Sequence, residues 1–311
     1  MTRSLRTSGC ALLFLFVPGL LNAQALPPDA ILPFNDAALS PGFITPMAVD
    51  ELPQGPAAIA ATRHAVFLAD NVNSQVLVLD RNGSAITAIP VDAPIADLRV
   101  GSEGTLTLLT ADHRRIHALN PDGTPLAEFP LPSGSVRGLA RAPDGKVWTV
   151  EVFGQGALAG ASPTGVHAAP LGVSPRWHGT GVLRTDRTGD VLLWDWDDPA
   201  ELKGRGPARV VHVKTTRRLG LVRPILVDRR GNLYILLETL SEHVPLEVTL
   251  EIRRVSPSGR SSRVAWDVHP HAPCSNSVAI DENGTVFRHE SRPEGLYFWR
   301  VDSNEWTEVG R

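Results

Sequence analysis

Six acidic residues follow short runs of β-branched and apolar residues at comparable places along the chain. They are Asp70, Asp112, Glu151, Asp195, Glu238 and Glu290. If these runs are the same strand of one repeated unit, the six carboxylates form a ring that could bind a cation, a metal ion or an amine. Alternatively, each carboxylate accepts hydrogen bonds from N–H groups of the loop that follows it, as acidic residues do in turns. The pattern alone leaves both interpretations open.

Polar residues also stand where the first strand of a unit is expected to begin. Arg137, Arg223 and Asn276 occupy this position, while Ala96 and Gly181 occupy it in two other units. A guanidinium group binds carboxylates and phosphates through paired N–H contacts, so the two arginines could clamp such a group. The alternative is that they pair with the acidic residues. An arginine buried beside acids is a candidate site residue in either case.

A third candidate lies in the segment VHPHAPCSNS. In an extended chain, His269 and His271 point to the same side, and Cys274 follows three residues later. Imidazole and thiolate are ligands of zinc, so these residues are a candidate metal trio. The alternative is an ordinary loop with a partly buried thiol, because a closed zinc site needs a fourth ligand that the sequence does not name.

The segment SPRWHGTG contains an aromatic candidate. Trp177 and His178 could form the floor or gate of a pocket. Trp and His combine a large apolar body with a polar edge, which suits ligand contact. The alternative is that the aromatic ring seals two neighbouring structural units.

A repeated unit of four short strands gives these residues their expected places, and it is clearest at residues 136–170. Pro143-Asp144-Gly145 predicts a first turn and Ser162-Pro163-Thr164-Gly165 a second, since Pro presets φ and Gly accepts a positive φ. The turn glycines recur roughly every 40–50 residues, a period typical of β-propellers. The first-turn glycines are Gly104, Gly145, Gly189, Gly231 and Gly284, and the second-turn glycines are Gly83, Gly123, Gly165 and Gly259.

The sequence therefore predicts an all-β fold, a six-bladed β-propeller with four-stranded antiparallel blades. The blades are expected to begin at Gly55, Ile95, Val136, Gly181, Val222 and Asn276. Blade 6 should consist of the segments SVAID, TVFRHE, LYFWRV and EWTEV. We expect the propeller to span residues 53–311. Residues 26–52 are predicted to be an N-terminal linker, in which residues 44–49 form a candidate closing strand or, alternatively, a loop that covers one face.

The first 25 residues have the pattern of a secretory signal. Arg3 and Arg6 precede an apolar run at residues 11–21, and Ala23-Gln24-Ala25 fits a cleavage site. The apolar run is too short to cross a membrane as a helix. We therefore expect an exported protein, periplasmic or extracellular, with no transmembrane segment.

Charge and cysteine content narrow the function classes further. The formal net charge is −3, and a leader carrying Arg3 and Arg6 would leave a more acidic mature chain. Nonspecific nucleic-acid binding needs a basic surface, so we expect no nucleic-acid partner. Cys274 would be the one cysteine after cleavage, which excludes an internal disulfide. We expect a monomer whose partner is a protein, peptide, glycan or small molecule.

The segments VDRRGNLYILLE and AIDENGTVFRHE resemble blades of NHL-repeat propellers and of the SMP-30/gluconolactonase superfamily. The resemblance implies a six-bladed propeller. For the gluconolactonase-like enzymes it also implies a divalent cation such as Ca²⁺ in the central channel, held in part by the Glu of an E-G-P stretch. This chain has Gln54-Gly55-Pro56 at that place, and an amide keeps the oxygen ligand without its charge.

Two functions remain as hypotheses. The first is an exported binding module that uses its loop face and central channel. The second is a lactonase, esterase or lyase acting on a small molecule in the channel, with the residues above converging in one cavity. Neutral Gln54 favours the first hypothesis, and fold alone cannot choose between them.

Overall fold

The structure is a computed structural model, and it describes most of the chain. The described residues are 27–36, 39–45, 53–101, 104–131, 136–141, 147–151, 158–162, 165–169, 174–175, 181–185, 191–195, 209–213, 215, 217–228, 230–242, 247–267, 276–302 and 304–309. Within these ranges every regular element is a β-strand. In this part of the chain no helix is long and apolar enough to cross a membrane.

The strands, in chain order, are β1 (Ala30–Leu32), β2 (Ala58–Ala61), β3 (Val66–Asp70), β4 (Gln75–Leu79), β5 (Ala85–Pro90), β6 (Ile95–Val100), β7 (Leu106–Thr110), β8 (Arg115–Leu119), β9 (Pro125–Pro130), β10 (Val136–Arg141), β11 (Val147–Glu151), β12 (Leu158–Ser162), β13 (Gly165–Ala169), β14 (Ser174–Pro175), β15 (Gly181–Thr185), β16 (Val191–Asp195), β17 (Arg209–Val211), β18 (Arg218–Val227), β19 (Leu233–Leu240), β20 (Val248–Val255), β21 (Ser261–Asp267), β22 (Val278–Ile280), β23 (Val286–Arg292), β24 (Gly295–Val301) and β25 (Thr307–Glu308).

The described strands form six antiparallel sheets, which we number as blades. Blades 1 to 4 are β2–β5, β6–β9, β10–β13 and β14–β17; blade 5 is β18–β21 with β25, and blade 6 is β22–β24 with β1. Strands near one edge of each sheet contact those of the neighbouring sheet, in the pairs β22 and β2, β2 and β6, β6 and β10, β10 and β14, and β15 and β18. An apolar cluster joins blade 5 to blade 6. The sheets therefore surround a common centre, and the predicted all-β propeller is confirmed.

The turn glycines behave as the repeat predicts. Positive φ angles are found at Gly83, Gly104, Gly123, Gly231, Gly259 and Gly284. Acidic residues organise three of these turns, because Asp80, Asp228 and Asp281 each accept hydrogen bonds from two later N–H groups of the same turn. Asp80, Asp228 and Asp281 thus bind the N–H groups of their turns. As the alternative to a cation site, the sequence pattern predicted this role for the six acidic residues at the opposite end of the blades.

The closing strand is not where the sequence placed it. In the predicted segment, residues 44–49, Ile44 forms an isolated bridge with Gln54, and residues 46–49 lie outside the described residues. The strand that completes blade 6 is β1, which pairs antiparallel with β24. Gly295, with φ 151°, permits this approach, because a Cβ there would stand 2.6 Å from the carbonyl oxygen of Leu32. A three-residue strand carries too little periodicity to be separated from other short apolar segments.

The last strand of the chain also differs from the prediction. The EWTEV segment was expected in blade 6, but β25 pairs with β21 as a fifth strand of blade 5. The outer position in blade 6 is already taken by β1, so the final strand extends the neighbouring sheet instead. Blade 4 differs as well, since β14 precedes the strand at Gly181 that was expected to begin it.

Candidate functional site

The inner strands of blades 6 and 1 meet at Asn276. Its main chain forms a parallel bridge with Ala58. The amide of Ile59 donates to the carbonyl of Asn276 at 3.0 Å, and the amide of Asn276 donates to the carbonyl of Ala57 at 3.3 Å. Because these backbone bonds cross from one blade to the next, they fix the buried Asn276 at the inner edge of the ring.

The side chain of Asn276 connects three further elements. Its Nδ2 donates to the carbonyl oxygen of Ile59 at 3.2 Å and lies 3.5 Å from Oδ1 of Asp97 on β6. Nη2 of Arg223, on β18, lies 3.5 Å from Oδ1 of Asn276. Blades 1, 2, 5 and 6 therefore meet through one amide. We name Arg223, Asn276 and Asp97 the inner-edge cluster.

Asp97 is a buried carboxylate with several donors around it. Oδ1 accepts from the amide of Leu98 and from Nη1 of Arg99, each at 2.8 Å. Oδ2 accepts from the amide of Leu139 in blade 3 at 2.8 Å. A buried charge is tolerated when it is paired and hydrogen-bonded, and Arg99 also forms a salt bridge with it. Asp97 therefore ties blade 2 to blades 3 and 6.

The sequence assigned the polar position in blade 2 to Ala96, one residue too early. The pairing of β6 with β7 is irregular between Ile95 and Asp97. A bulge of this kind changes which residues face each side of a strand. Ala96 consequently packs with Leu109 and Leu139 in an apolar cluster, and Asp97 lies beside Asn276. The acidic residue in the segment PIADLRV is the sequence feature that could have identified Asp97.

The structure brings two of the predicted site residues together, Arg223 and Asn276. Glu238 is partly buried on β19, where its main chain pairs with Leu221. Arg137, Glu151 and Asp195 lie on described strands, but their side chains lie outside the description. Five further candidates lie outside the described residues altogether, namely Trp177, His178, His269, His271 and Cys274.

The three acids of the predicted ring whose side-chain contacts are described have different surroundings. Asp70 accepts from the amide of Gly42 at 3.0 Å and from Nε2 of Gln75 at 2.9 Å. Exposed Asp112 accepts from the hydroxyl of Thr110, and this bond lowers the pKa of its carboxyl below the usual value. Buried Glu290 forms salt bridges with Arg288 and Arg292. These carboxylates serve local turns and ion pairs.

One titratable residue touches the backbone of the cluster. His289 is fully buried, and burial together with the charge of Arg288 lowers its pKa to about 4, although a hydrogen bond to the backbone of Asn276 acts in the opposite direction. Its amide also donates to the carbonyl of Ser277 at 3.0 Å. At neutral pH His289 is therefore uncharged, and it supports the segment that carries Asn276.

The cation implied by the resemblance does not fit the described residues of the cluster. Gln54 is exposed, and its main chain is paired with Ile44. Both carboxylate oxygens of Asp97 already accept from N–H donors, and the guanidinium of Arg223 would repel a cation placed at Asn276. Among the described residues, no group of three His, Cys, Asp or Glu side chains is arranged to hold a metal ion.

Comparison with known proteins gives structural likenesses only. No protein-family model matches the chain, and no curated protein matches it. A streptogramin B lyase structure is 12% identical with a TM-score of 0.47, and the match covers 83% of this chain and 96% of that one. The virginiamycin B lyase from Staphylococcus aureus is 13% identical with a TM-score of 0.44, over 80% and 95% of the two chains.

A gluconolactonase from Xanthomonas campestris is 13% identical with a TM-score of 0.47, and the match covers 92% of this chain and 97% of that one. The chain thus resembles propeller proteins of the kind that its blade sequences indicated. At these identities and TM-scores the likenesses carry no argument about activity. The fold stands on the sheets described above, and the function must be argued from the inner-edge cluster.

Proposed function

We propose that this protein is a binding module that takes a carboxylate or phosphate group of its ligand at the inner edge of the ring, between Arg223 and Asn276. The observation that carries the proposal is the meeting of these two side chains from blades 5 and 6. The ligand is a small molecule or an anionic group of a peptide, protein or glycan.

Arginine is suited to this role because its planar guanidinium matches the two oxygens of a carboxylate or phosphate. Arg223 is partly exposed, whereas Asn276 beside it is buried. Their contact, at 3.5 Å, is longer than an ordinary N–H···O hydrogen bond of about 2.9 Å. An anion placed beside the guanidinium would gain a shorter, charge-assisted hydrogen bond.

Titration of the full-length mature protein with sodium propionate and with inorganic phosphate tests the proposal. We expect saturable binding that Arg223→Gln weakens about tenfold or more, because a charge-assisted hydrogen bond contributes about 1.5–3 kcal/mol. Arg230→Gln is the matched control, since Arg230 is exposed in the turn after β18 and should leave binding unchanged.

Two results would overturn the proposal. One is equal binding by the wild type and Arg223→Gln. The other is about one divalent ion per purified chain, with a melting temperature that EDTA lowers, which would instead support the metal-dependent hydrolase hypothesis.

We also propose that the protein is exported. The support is the charged and apolar pattern of residues 1–25 with Ala23-Gln24-Ala25 at its end. N-terminal sequencing of the protein from its native host should find Leu26 as the first residue. An intact N-terminus on cytoplasmic material would contradict export.

A further inference from the structure

The amide of Asn276 has one satisfactory orientation. Its Nδ2 faces two acceptors, the carbonyl oxygen of Ile59 at 3.2 Å and Oδ1 of Asp97 at 3.5 Å. Its Oδ1 faces a donor, the guanidinium of Arg223. A flipped amide would place its oxygen against two oxygens and its NH₂ group against a cation. The orientation of Asn276 is therefore set by the charges around it.

Asp97 is the stronger of the two groups that hold this orientation, because it carries a full negative charge near the NH₂ group. Its own position is fixed by the amides of Leu98 and Leu139, each at 2.8 Å. Neither amide can move without disturbing a strand. Asp97 is thus a rigid acceptor that leaves Asn276 Oδ1 on the side of Arg223.

The inner-edge cluster consequently offers two unlike groups side by side. Arg223 offers N–H donors and a positive charge, and Asn276 offers a carbonyl oxygen as an acceptor. A plain carboxylate satisfies Arg223 but brings its own oxygens toward Asn276 Oδ1, which is unfavourable. A ligand with an O–H or N–H donor beside its carboxylate satisfies both groups.

We propose that Asp97 is a positioning residue that makes the cluster selective for carboxylates carrying a hydroxyl or amino group on the adjacent carbon. This inference rests on the proposed function, because it assumes that Arg223 binds the carboxylate. It assigns to Asp97 a role in ligand choice in addition to its role in joining blades.

The test compares three ligands that differ at one substituent, namely propionate, L-lactate and L-alanine. Dissociation constants are measured for wild type, Asp97→Asn, Asn276→Ala and Arg223→Gln. We expect lactate, alanine or both to bind wild type about five- to tenfold more tightly than propionate, the effect of about one neutral hydrogen bond. Tighter binding of L-lactate would indicate recognition of the hydroxyl group, and tighter binding of L-alanine recognition of the amino group.

In Asp97→Asn the preference for lactate and alanine over propionate should fall toward one, because an amide at position 97 no longer fixes Asn276. A purely structural loss would weaken all three ligands together. Asp92→Asn is the matched control, since that carboxylate is exposed. Circular dichroism melting checks that each variant is folded, and Asn276→Ala tests the same acceptor if Asp97→Asn is not folded.

The outcomes separate the two proposals. Equal binding of the three ligands to wild type, with loss in Arg223→Gln, overturns the selectivity and leaves the proposed function standing. An unchanged preference in Asn276→Ala, or in a folded Asp97→Asn, overturns the role of the fixed amide. Absence of binding by all three ligands overturns both proposals.

Discussion

The two sides of blade 6 are built from different chemistry, although one strand supplies residues to both. Toward blade 1, Phe287 and Phe298 pack with Ile59 and other apolar residues. Toward blade 5, the guanidinium of Arg288 lies 4.4 Å from the ring centre of Trp299 and 5.5 Å from that of Trp266. The packing around Phe287 and Phe298 is apolar, whereas the packing around Arg288 combines aromatic rings with charged side chains.

The charged interface continues outward along the same face of blade 6. Arg292 lies 4.4 Å from the ring centre of Tyr297 and 5.6 Å from that of Trp299. Glu290 stands between the two arginines and pairs with both. Because alternate residues of a strand face opposite sides, the segment VFRHESR encodes both interfaces at once. Repeated blades therefore need equal geometry but do not need equal chemistry.

The largest expected effect lies in the apolar interface. Phe298→Ala should lower the free energy of unfolding by about 3–5 kcal/mol, because it opens a cavity beside β1 and β2. Chemical denaturation measures the change. Ile31→Ala, at a side chain that is 48% exposed in the adjacent strand, is the control and should stay within about 0.5 kcal/mol of wild type. A loss below about 1 kcal/mol in Phe298→Ala would contradict tight packing here.

The stability of the charged interface should depend on the balance of its charges rather than on the volume of its side chains. Glu290→Gln is expected to cost about 2–3 kcal/mol, since it removes the carboxylate that forms a salt bridge with buried Arg288. Replacing the pair together, as Arg288→Met with Glu290→Leu, should be nearly neutral or stabilising. Denaturation of both variants measures the difference. A double variant as unstable as the single one would show that the stack contributes more than its charge balance.

A pH dependence of stability is expected from His289, which alternates along β23 with the residues that face blade 5. Its folded-state pKa is lowered to about 4, below the ordinary value of about 6.5. The unfolded chain therefore takes up the proton first as the pH falls. Stability should drop between about pH 6.5 and 4, by at most about 1.4 kcal/mol per pH unit.

Denaturation midpoints over this pH range measure the drop, and His289→Gln should flatten it. His64→Gln is the control, because His64 is exposed and its replacement should leave the profile as it is. An identical profile in His289→Gln would assign the acid sensitivity to another group.

The blade repeat was predictable because its signals are local. Positive φ at the turn glycines follows from the Pro-Asp-Gly and Asn-Gly patterns, and each strand lies next to its partner in the chain. The closing strand was placed wrongly because its partner, β24, is distant in sequence and the pairing spans three residues. No local sequence pattern indicates whether residues 30–32 or residues 44–49 pair with β24.

The candidate site was predictable in part for a similar reason. Arg223 and Asn276 follow from the repeat position, but Asp97 was missed because the bulge in β6 shifts that position by one residue. Glu290 was expected in a ring of six carboxylates, but it pairs with Arg288 and Arg292 on its own strand. The two-residue spacing in VFRHESR, which places these side chains on one face, was the available signal.

The pairing of β1 with β24 can form only late in the synthesis of the chain. β1 is the first described strand to leave the ribosome, and its partner is translated only after 22 other strands. Until then the edge of blade 6 does not exist, and the apolar side of Leu32 has nothing to cover it. A chain arrested part-way through translation therefore holds an open arc with exposed strand edges, which is the form most exposed to aggregation and to chaperones.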